Sequence, residues 1–420
     1  MTDTSVDTTT RTPWFSNLSR GERRTFWGCF GGWALDALDV QVYSLVLPGL
    51  LTLGFLTSKS QAGLIGTVTL LTSAVGGWLA GILADRFGRA RLLMVTVAWY
   101  SVFTLLCGLA QGPTQLLIFR ALMGFGFGGE WAAGAILMGE TVRAHYRGRA
   151  VGTVQSAWAI GWGVAVLLYV VIAQVLPDTL AWRVLFFVGV LPALLVLYIR
   201  SRVREPEIFE AGRERRPAGQ GGFLAIFAPE QLRITILCAL VAVGAQGGYY
   251  AVTTWLPQFL QSARGLAILA LGGTLALVIA GAFVGYLVGA WLTDRIGRRW
   301  TIVICAIGAF VVVVPFTTAG LPVAAFTALS FPLGFFGSAY FSALGAFFTE
   351  QYPTALRGSG QGFCYNFGRG IGALFPLLVG VLADALSIGV AIALFAGVAY
   401  AVMAIAAVLL PETRGKELTE

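Results

Sequence analysis

The chain alternates long apolar runs with short polar and charged connections. A helix that crosses a membrane needs about 20 largely apolar residues, and twelve runs reach or approach that length. The runs are too continuously apolar for the alternating pattern of barrel strands, so each predicts a helix. The predicted spans are 26–51, 62–84, 91–110, 115–138, 150–174, 184–199, 233–255, 266–292, 301–319, 321–348, 361–383 and 388–410.

Two short charged motifs between these runs each occur twice. The pattern Asp-Arg-x-Gly-Arg begins at Asp85 and again at Asp294, 209 residues later. A Glu followed seven residues later by Arg-Gly occurs at Glu140 and again at Glu350, 210 residues later. Internal repetition in a membrane-sized apolar chain is typical of secondary transporters, whose substrate site lies between the repeats.

The repeat defines the predicted architecture. We expect an all-α membrane protein with twelve transmembrane helices in two six-helix pseudo-repeats around a central cavity. Its parts are a tail over 1–25, bundles over 26–199 and 233–410, a polar linker over 200–232 and a second tail over 411–420.

Composition agrees with a membrane protein, since 57% of the residues are hydrophobic and only 11% are charged. The net charge of +8 could suggest nucleic acid, but all but five of the 28 Lys and Arg residues lie in the tails, the linker or the loops on one side of the predicted bundle. Such an excess marks the cytoplasmic face. We therefore expect no nucleic-acid partner, and a multi-pass protein of the cell's inner membrane with both termini in the cytoplasm.

Cysteine and histidine give no sign of a metal or an enzyme. The five cysteines lie in apolar runs without paired spacing, and His145 is the single histidine. We expect no metal, no cofactor, no disulfide framework and no catalytic residues.

Charged residues inside the predicted spans are the candidates for function, because burying a charge in a membrane is costly. Asp36 and Asp39 share a helix face, and Tyr43 continues it. We expect the two carboxylates, with Glu130, to carry protons, and Arg120 to need an anion that is either a substrate or one of these acids. The other candidates for substrate contact are Tyr43, Gln155, Tyr249, Tyr250, Asn366 and Arg369.

The seventh span contains Gly247 and Gly248 followed by polar aromatic residues. This pattern predicts a broken helix that lines a site in the middle of the membrane. The tenth span, with Pro332 and Gly337, is expected to play a similar role.

The paired motifs are candidates for gating. Asp85 sits at a predicted helix C-terminus, where the macrodipole disfavours an anion, so it needs a partner that is present in one conformation and lost in another. The proposed gating residues are Asp85, Arg86, Gly88, Arg89, Glu140, Arg147, Asp294, Arg295, Gly297, Arg298, Glu350 and Arg357.

With these motifs, twelve spans and a central linker, the chain resembles the major facilitator superfamily over its whole length. Asp36-Ala37-Leu38-Asp39 and the stretch from Arg120 to Trp131 are similar to elements of its metabolite:proton symporters for organic acids, in the aromatic acid and sialate/lactate groups. Ala37 departs from that group's Asp-Gly-x-Asp pattern. The resemblance implies proton-driven uptake of a small organic anion.

The function expected from the sequence is symport of a monocarboxylate, sialate-like or aromatic acid by alternating access, driven by the proton gradient. The protein is expected to act as a monomer in the lipid bilayer. Alternatives are a uniporter or exchanger of a sugar-like or neutral metabolite, or an efflux antiporter. Two further alternatives are not transporters: an intramembrane enzyme, and a receptor that binds its ligand without transporting it.

Overall fold

The computed structural model describes residues 14–87, 89–141, 144–191, 193, 223–353 and 356–414. The described secondary structure is helical. The helices are α1 (Arg20–Thr52), α2 (Lys59–Phe87), α3 (Arg89–Leu109), α4 (Pro113–Thr141), α5 (Ala144–Val175), α6 (Asp178–Val188), α7 (Pro229–Ser262), α8 (Ile268–Ile296), α9 (Arg298–Thr318), α10 (Val323–Ala339), α11 (Phe341–Gln351), α12 (Arg357–Gly372), α13 (Phe375–Ala385) and α14 (Ile388–Leu409). Short 3₁₀ turns at Trp14–Asn17 and Phe223–Phe227 precede α1 and α7.

Every predicted span overlaps a helix, and ten segments of the described chain are long and apolar enough to cross a membrane. The tenth and eleventh spans are each divided into two helices, at Tyr340 and at Ala373–Leu374. Pro376 explains the second division, because a proline lacks an N–H and fits the first turn of a new helix.

The predicted break in the seventh span is wrong, since α7 is continuous. Its paired glycines make room for aromatic rings instead. A Cβ on Gly247 would lie 2.8 Å from the ring of Phe375, and one on Gly248 would lie 2.5 Å from the ring of Tyr400.

The two halves of the bundle repeat the same close helix contact. In the amino-terminal half (α1–α6), Gly128 of α4 packs against the backbone of Ser73 on α2. In the carboxy-terminal half (α7–α14), Gly334 of α10 packs in the same way against Val278 on α8. A Cβ on either glycine would lie 1.7 Å from the carbonyl oxygen it faces. Small residues allow such close backbone contact in membranes, and the matched pairs fit the duplication read from the sequence.

The halves are hydrogen-bonded mainly at one end. The side of the bundle on which α1 begins and α14 ends is called the terminal side here. The opposite side is called the distal side. All but one of the described hydrogen bonds between the halves join the start of α2 to the segment 373–384 on the distal side. The exception joins Trp158 to Tyr249 in the middle of the bundle.

Candidate functional site

Four charged side chains lie deep in the bundle. Asp36, Asp39, Arg120 and Arg369 have exposed fractions of 0%, 1%, 2% and 2%. They are surrounded by protein rather than by lipid. The structure thus places the charges predicted from the sequence inside the molecule, where they interact with one another and with what the protein encloses.

Arg120 lines a small cavity of about 20 Å³ between the halves. Its guanidinium stacks on the Tyr43 ring at 4.7 Å and donates to the sulfur of Met123 at 3.6 Å. The Tyr43 hydroxyl donates to the carbonyl oxygen of Ala62 at 2.6 Å. The Nε of Arg120 is buried and finds no hydrogen-bond acceptor among the described residues. The rest of the wall is rich in polar groups, with Gln41, Ser44, Thr69, Tyr249, Tyr250, Thr253 and Thr254.

Asp39 is directed toward α3 and α6. The Thr104 hydroxyl donates to its Oδ2 at 3.0 Å, while Oδ1 has no hydrogen-bond donor among the described residues. The same oxygen lies next to Gly189, where a Cβ would come within 2.6 Å of it. The described contacts of Arg120 are with Tyr43 and Met123, although the opposite charge of Asp39 is close enough to attract it.

Arg369 lines a second small cavity, of about 30 Å³. The Phe127 and Tyr365 rings lie 5.6 and 5.4 Å from its guanidinium carbon. Its Nε is also buried without an acceptor among the described residues. The opposite charge of Asp36, in the other half, attracts it. Aromatic groups form most of the remaining wall, which consists of Trp33, Gln155, Trp158, Gln246, Tyr249, Tyr250, Tyr286 and Phe341.

A hydrogen bond between the halves lies at the wall that these two cavities share. The indole Nε1 of Trp158 on α5 donates to the hydroxyl of Tyr249 on α7 at 2.6 Å. Tyr249 and Tyr250 line both cavities. The Tyr250 hydroxyl donates to Gln246, whose amide donates to the carbonyl oxygen of Tyr365. The Gln246 bonds join Tyr250, in the shared wall, to Tyr365 in the carboxy-terminal half.

The structure brings most of the predicted substrate-contacting residues together. Tyr43, Tyr249 and Tyr250 lie with Arg120, and Gln155 lies with Arg369. Asn366 is placed differently. Its amide nitrogen donates to the carbonyl oxygen of Gly362, and its Oδ1 faces Gly77 of α2, at the contact between the halves.

The second charged turn is organised around Arg298. Its Nε lies 3.1 Å from Glu350, and its Nη1 lies 3.7 Å from Asp294. Gly297 has φ +99°, a conformation that favours glycine. The neighbouring cations make other contacts: Arg295 stacks on Trp291, and Arg357 donates to the carbonyl oxygen of Tyr352. The charged residues in the second copies of the repeated motifs therefore lie at one end of the carboxy-terminal half: Asp294, Arg295, Arg298, Glu350 and Arg357.

Glu412, which the sequence patterns did not single out, completes this turn. Its carboxylate accepts from the backbone N–H groups of Arg298 and Arg299 at 3.0 and 3.2 Å. Those groups open α9, so Glu412 caps the helix with a negative charge at the positive end of its dipole. Thr413 adds a hydrogen bond to Glu350. The sequence does contain a signal for this role, namely an acidic residue in the Pro-Glu-Thr segment directly after the last span.

Gly88 and the side chains of Asp85, Arg86, Arg89, Glu130, Glu140 and Arg147 lie outside the described residues.

Comparison with known proteins identifies the family. The model of the Major Facilitator Superfamily matches residues 29–316 and 274–420. The chain belongs to the major facilitator superfamily. As a member, it is a multi-pass membrane transporter and not an enzyme, which confirms the fold and the general class expected from the sequence.

Relatives and solved structures agree with this membership. The chain is 42% identical over 96% of its length to a protein of Cupriavidus pinatubonensis named "Probable 4-methylmuconolactone transporter", of which it covers 93%. It is 32% identical to the "Cis,cis-muconate transport protein" of Acinetobacter baylyi, over 84% of this chain and 86% of that one. The fold of this superfamily member matches the inward-open xylose transporter of E. coli with a TM-score of 0.72 at 19% identity, over 94% and 97% of the two chains.

Proposed function

We propose that this superfamily member is a proton-coupled symporter that takes up a small planar organic anion, such as an aromatic acid or a muconate-type acid. The observation that carries the proposal is Arg369, a buried cation in an aromatic-walled cavity between the halves. An arginine binds a carboxylate through two parallel hydrogen bonds, and aromatic walls hold a flat apolar body. The names of the relatives, which refer to muconate and a muconolactone, support this substrate class.

Proton coupling follows from the balance of the buried charges. Among the described residues of the core, the two negative charges of Asp36 and Asp39 balance the two positive charges of Arg120 and Arg369. A substrate carboxylate adds one negative charge in a region of low dielectric, where an uncompensated charge is costly. A proton on Asp36 or Asp39 restores the balance. The proton gradient would therefore drive accumulation without a cofactor.

Alternating access would use the two ends of the bundle as gates. The distal side is held closed here by the bonds between α2 and the segment 373–384. The charged turn at Arg298, on the terminal side, is a candidate for the opposite gate. Because most positive residues lie on the terminal side, we place it in the cytoplasm, with the distal side outside the inner membrane.

Uptake into proteoliposomes tests the proposal. Purified protein would be reconstituted as a monomer and offered radiolabelled 4-methylmuconolactone, cis,cis-muconate, benzoate and gentisate, with and without an imposed pH gradient. We expect accumulation of at least one acid only when the interior is alkaline. Counterflow without gradient-driven accumulation would instead support an exchanger or uniporter, and an outward-directed antiport would appear as gradient-driven loss.

The Arg369 site has its own control. Arg369→Gln removes a charge-assisted hydrogen-bond donor worth about 1.5–3 kcal/mol, which is roughly a 10- to 150-fold loss of affinity. Arg369→Lys keeps the charge without the two-pronged geometry and should fall between the wild type and Arg369→Gln. Equal affinity in all three proteins would contradict binding at this residue.

A further inference from the structure

The two halves meet along two lines of contact, or seams, that are built differently. One seam joins α2 to the segment 373–384, where the helices are hydrogen-bonded and lie very close together. A Cβ on Gly63 of α2 would lie 2.5 Å from the carbonyl oxygen of Pro376. The other seam joins α5 to α8 and encloses an open space.

The space between α5 and α8 is an apolar groove of about 320 Å³. It is much larger than the spaces beside Arg120 and Arg369. Its eight described lining residues are all apolar, so they offer a carboxylate no charged side chain and no hydroxyl group. Four of them are small, with Ala159 and Gly163 on α5 facing Ala276 and Ala280 on α8. The groove therefore suits a hydrocarbon rather than the transported anion.

The groove lies at the middle of the membrane and is shut toward the distal side. Gly163 is ten residues from Thr153 and twelve from Val175, the ends of the apolar part of α5, which correspond to about 15 and 18 Å of helix. The hydrocarbon core of a bilayer is about 30 Å thick. One turn nearer the distal side, a Cβ on Gly272 of α8 would lie 2.6 Å from Cγ2 of Val170 on α5. The helices thus touch at the distal end and separate below it.

We propose that an acyl chain of a membrane phospholipid lies in this groove, between the two halves. Ile160 in the lining is 43% exposed and Ala280 is also exposed, so the groove opens on the outer face of the bundle, where the surroundings are hydrocarbon. An empty groove would lose dispersion contacts on both walls, and a flexible chain restores them. Because the distal end is shut, the chain enters from the leaflet on the terminal side.

A chain in the groove favours the conformation in which the distal side is closed. This effect rests on the alternating access proposed above, whereas binding of the chain does not. Closing the terminal side would bring α5 and α8 together, and small residues on both walls allow such an approach. The chain must leave before the walls meet. Lipid that contacts only one half experiences no such change.

Photolabelling tests the site without requiring transport. The full-length protein would be reconstituted with a phosphatidylcholine that carries a diazirine in the middle of one acyl chain, irradiated, and digested so that mass spectrometry locates the label. We expect the groove residues to be labelled several-fold more than Ile307, an exposed residue in the middle of α9 that lies outside the groove. Equal labelling would show ordinary surface lipid and overturn the inference.

Two glycine substitutions form a matched pair for this experiment. Gly163→Leu places a side chain across the groove, since a Cβ at Gly163 would lie 3.7 Å from Cγ2 of Ile279, an ordinary contact distance. Gly273→Leu makes the same change at an exposed position of α8 with no atom within 4 Å of the added Cβ. We expect groove labelling to fall by about tenfold in the first variant, because close-packed side chains leave no room for a chain, and to persist in the second. Unchanged labelling in Gly163→Leu would contradict the site.

Counterflow of the transported acid measures the effect on the moving halves. The leucine of Gly163→Leu cannot leave the groove as a lipid chain can, so we expect counterflow to slow several-fold in this variant and to stay at the wild-type rate in Gly273→Leu. A wild-type rate in both would overturn the conformational effect. Failure of the proposed function would appear separately, as wild-type liposomes that counterflow none of the four acids while the photolabelling result stands.

Two other occupants of the groove would be recognised in the same experiments. Groove labelling that disappears when benzoate is added would assign the groove to the substrate. A groove that stays unlabelled in wild-type protein with the mass of a dimer would assign it to a second copy of the chain. Either result would overturn the lipid site.

Discussion

Gly189 leaves the room that the Asp39 carboxylate occupies. The residue follows α6, and a Cβ at this position would lie 2.6 Å from Oδ1 of Asp39 and 2.2 Å from the methyl group of Thr104. Thr104 is also the hydroxyl that donates to Asp39. The buried acid thus depends on one partner and on one missing side chain, both contributed by other helices.

We expect Gly189→Ala to destabilise the protein by about 1–3 kcal/mol, since overpacking forces the neighbouring groups apart. Gly273→Ala is the matched control, because Gly273 lies in α8 with no atom within 4 Å of its added Cβ. The midpoint of thermal unfolding in detergent should fall for the first variant and stay or rise for the second. Equal midpoints would show that the pocket around Asp39 is loose.

For individual residues, the sequence identifies the buried charges but not the groups that they contact. Asp36, Asp39, Arg120 and Arg369 are evident because each interrupts an apolar run. Trp158 and Gly189 are common residues in apolar spans, and only the packing of distant helices gives them their contacts. Asn366 illustrates the limit, since its polarity predicts contact with substrate and the structure places it at the interface with α2.

Among the elements, α2 is capped by a residue from the opposite half. Asp384, at the end of α13, accepts from the backbone N–H groups of Lys59 and Ser60 at 3.1 and 3.0 Å and from the Ser60 hydroxyl. The Lys59 ammonium adds a bond to the carbonyl oxygen of Ala383 at 2.7 Å. Opening of the distal side would remove this cap from the helix, so the cap favours the closed state.

Asp384→Ala should therefore open the distal side more often. A helix cap contributes about 0.5–2 kcal/mol, which corresponds to a shift of the equilibrium by roughly 2- to 30-fold. A Gly66→Cys reporter in the Arg120 cavity would be labelled from outside with an impermeant maleimide, and its rate should rise by about tenfold. Asp178→Ala changes an exposed acid on the same side within one half and should leave the rate unchanged. An unchanged rate in Asp384→Ala would show that the cap does not hold the gate.

Element positions were more predictable than element breaks. Each predicted apolar run overlaps a helix in the part of the chain that the structure describes, because the membrane imposes the length and composition of such runs. The breaks depend on tertiary contacts: Tyr340 ends α10 with its hydroxyl bonded to the carbonyl oxygen of Ala245, whereas the glycine pair of α7 faces rings and leaves that helix intact. Glycine in an apolar run thus predicts close packing as readily as a break.

For the whole molecule, the position of Asp36 distinguishes it from Asp39. Asp36 interacts with Arg369 across the two halves, whereas Asp39 is bonded within one of them. Only the first interaction changes when the halves move. Under the proposed proton coupling, a proton on Asp36 would link the proton gradient to the orientation of the cavity.

We expect Asp36→Asn to separate exchange from accumulation. The variant should still counterflow the transported acid, because Arg369 keeps its charge, but an alkaline interior should no longer drive accumulation. Asp39→Asn should keep some response to the gradient. The measurement is uptake by both variants with and without the pH gradient. If uptake by Asp36→Asn still responds fully to the gradient, or if only Asp39→Asn loses this response, the coupling proton belongs to Asp39.

The contact of Glu412 with the start of α9 has a practical consequence for handling the protein. Residues beyond the final membrane crossing are usually treated as free space for affinity tags, fluorescent fusions or truncation. Here the stretch through Arg414 is part of the folded transporter, since Glu412 and Thr413 bind the turn at Arg298 and Glu350. A fusion joined before Glu412 would disturb that turn, while one attached beyond Arg414 spares these contacts.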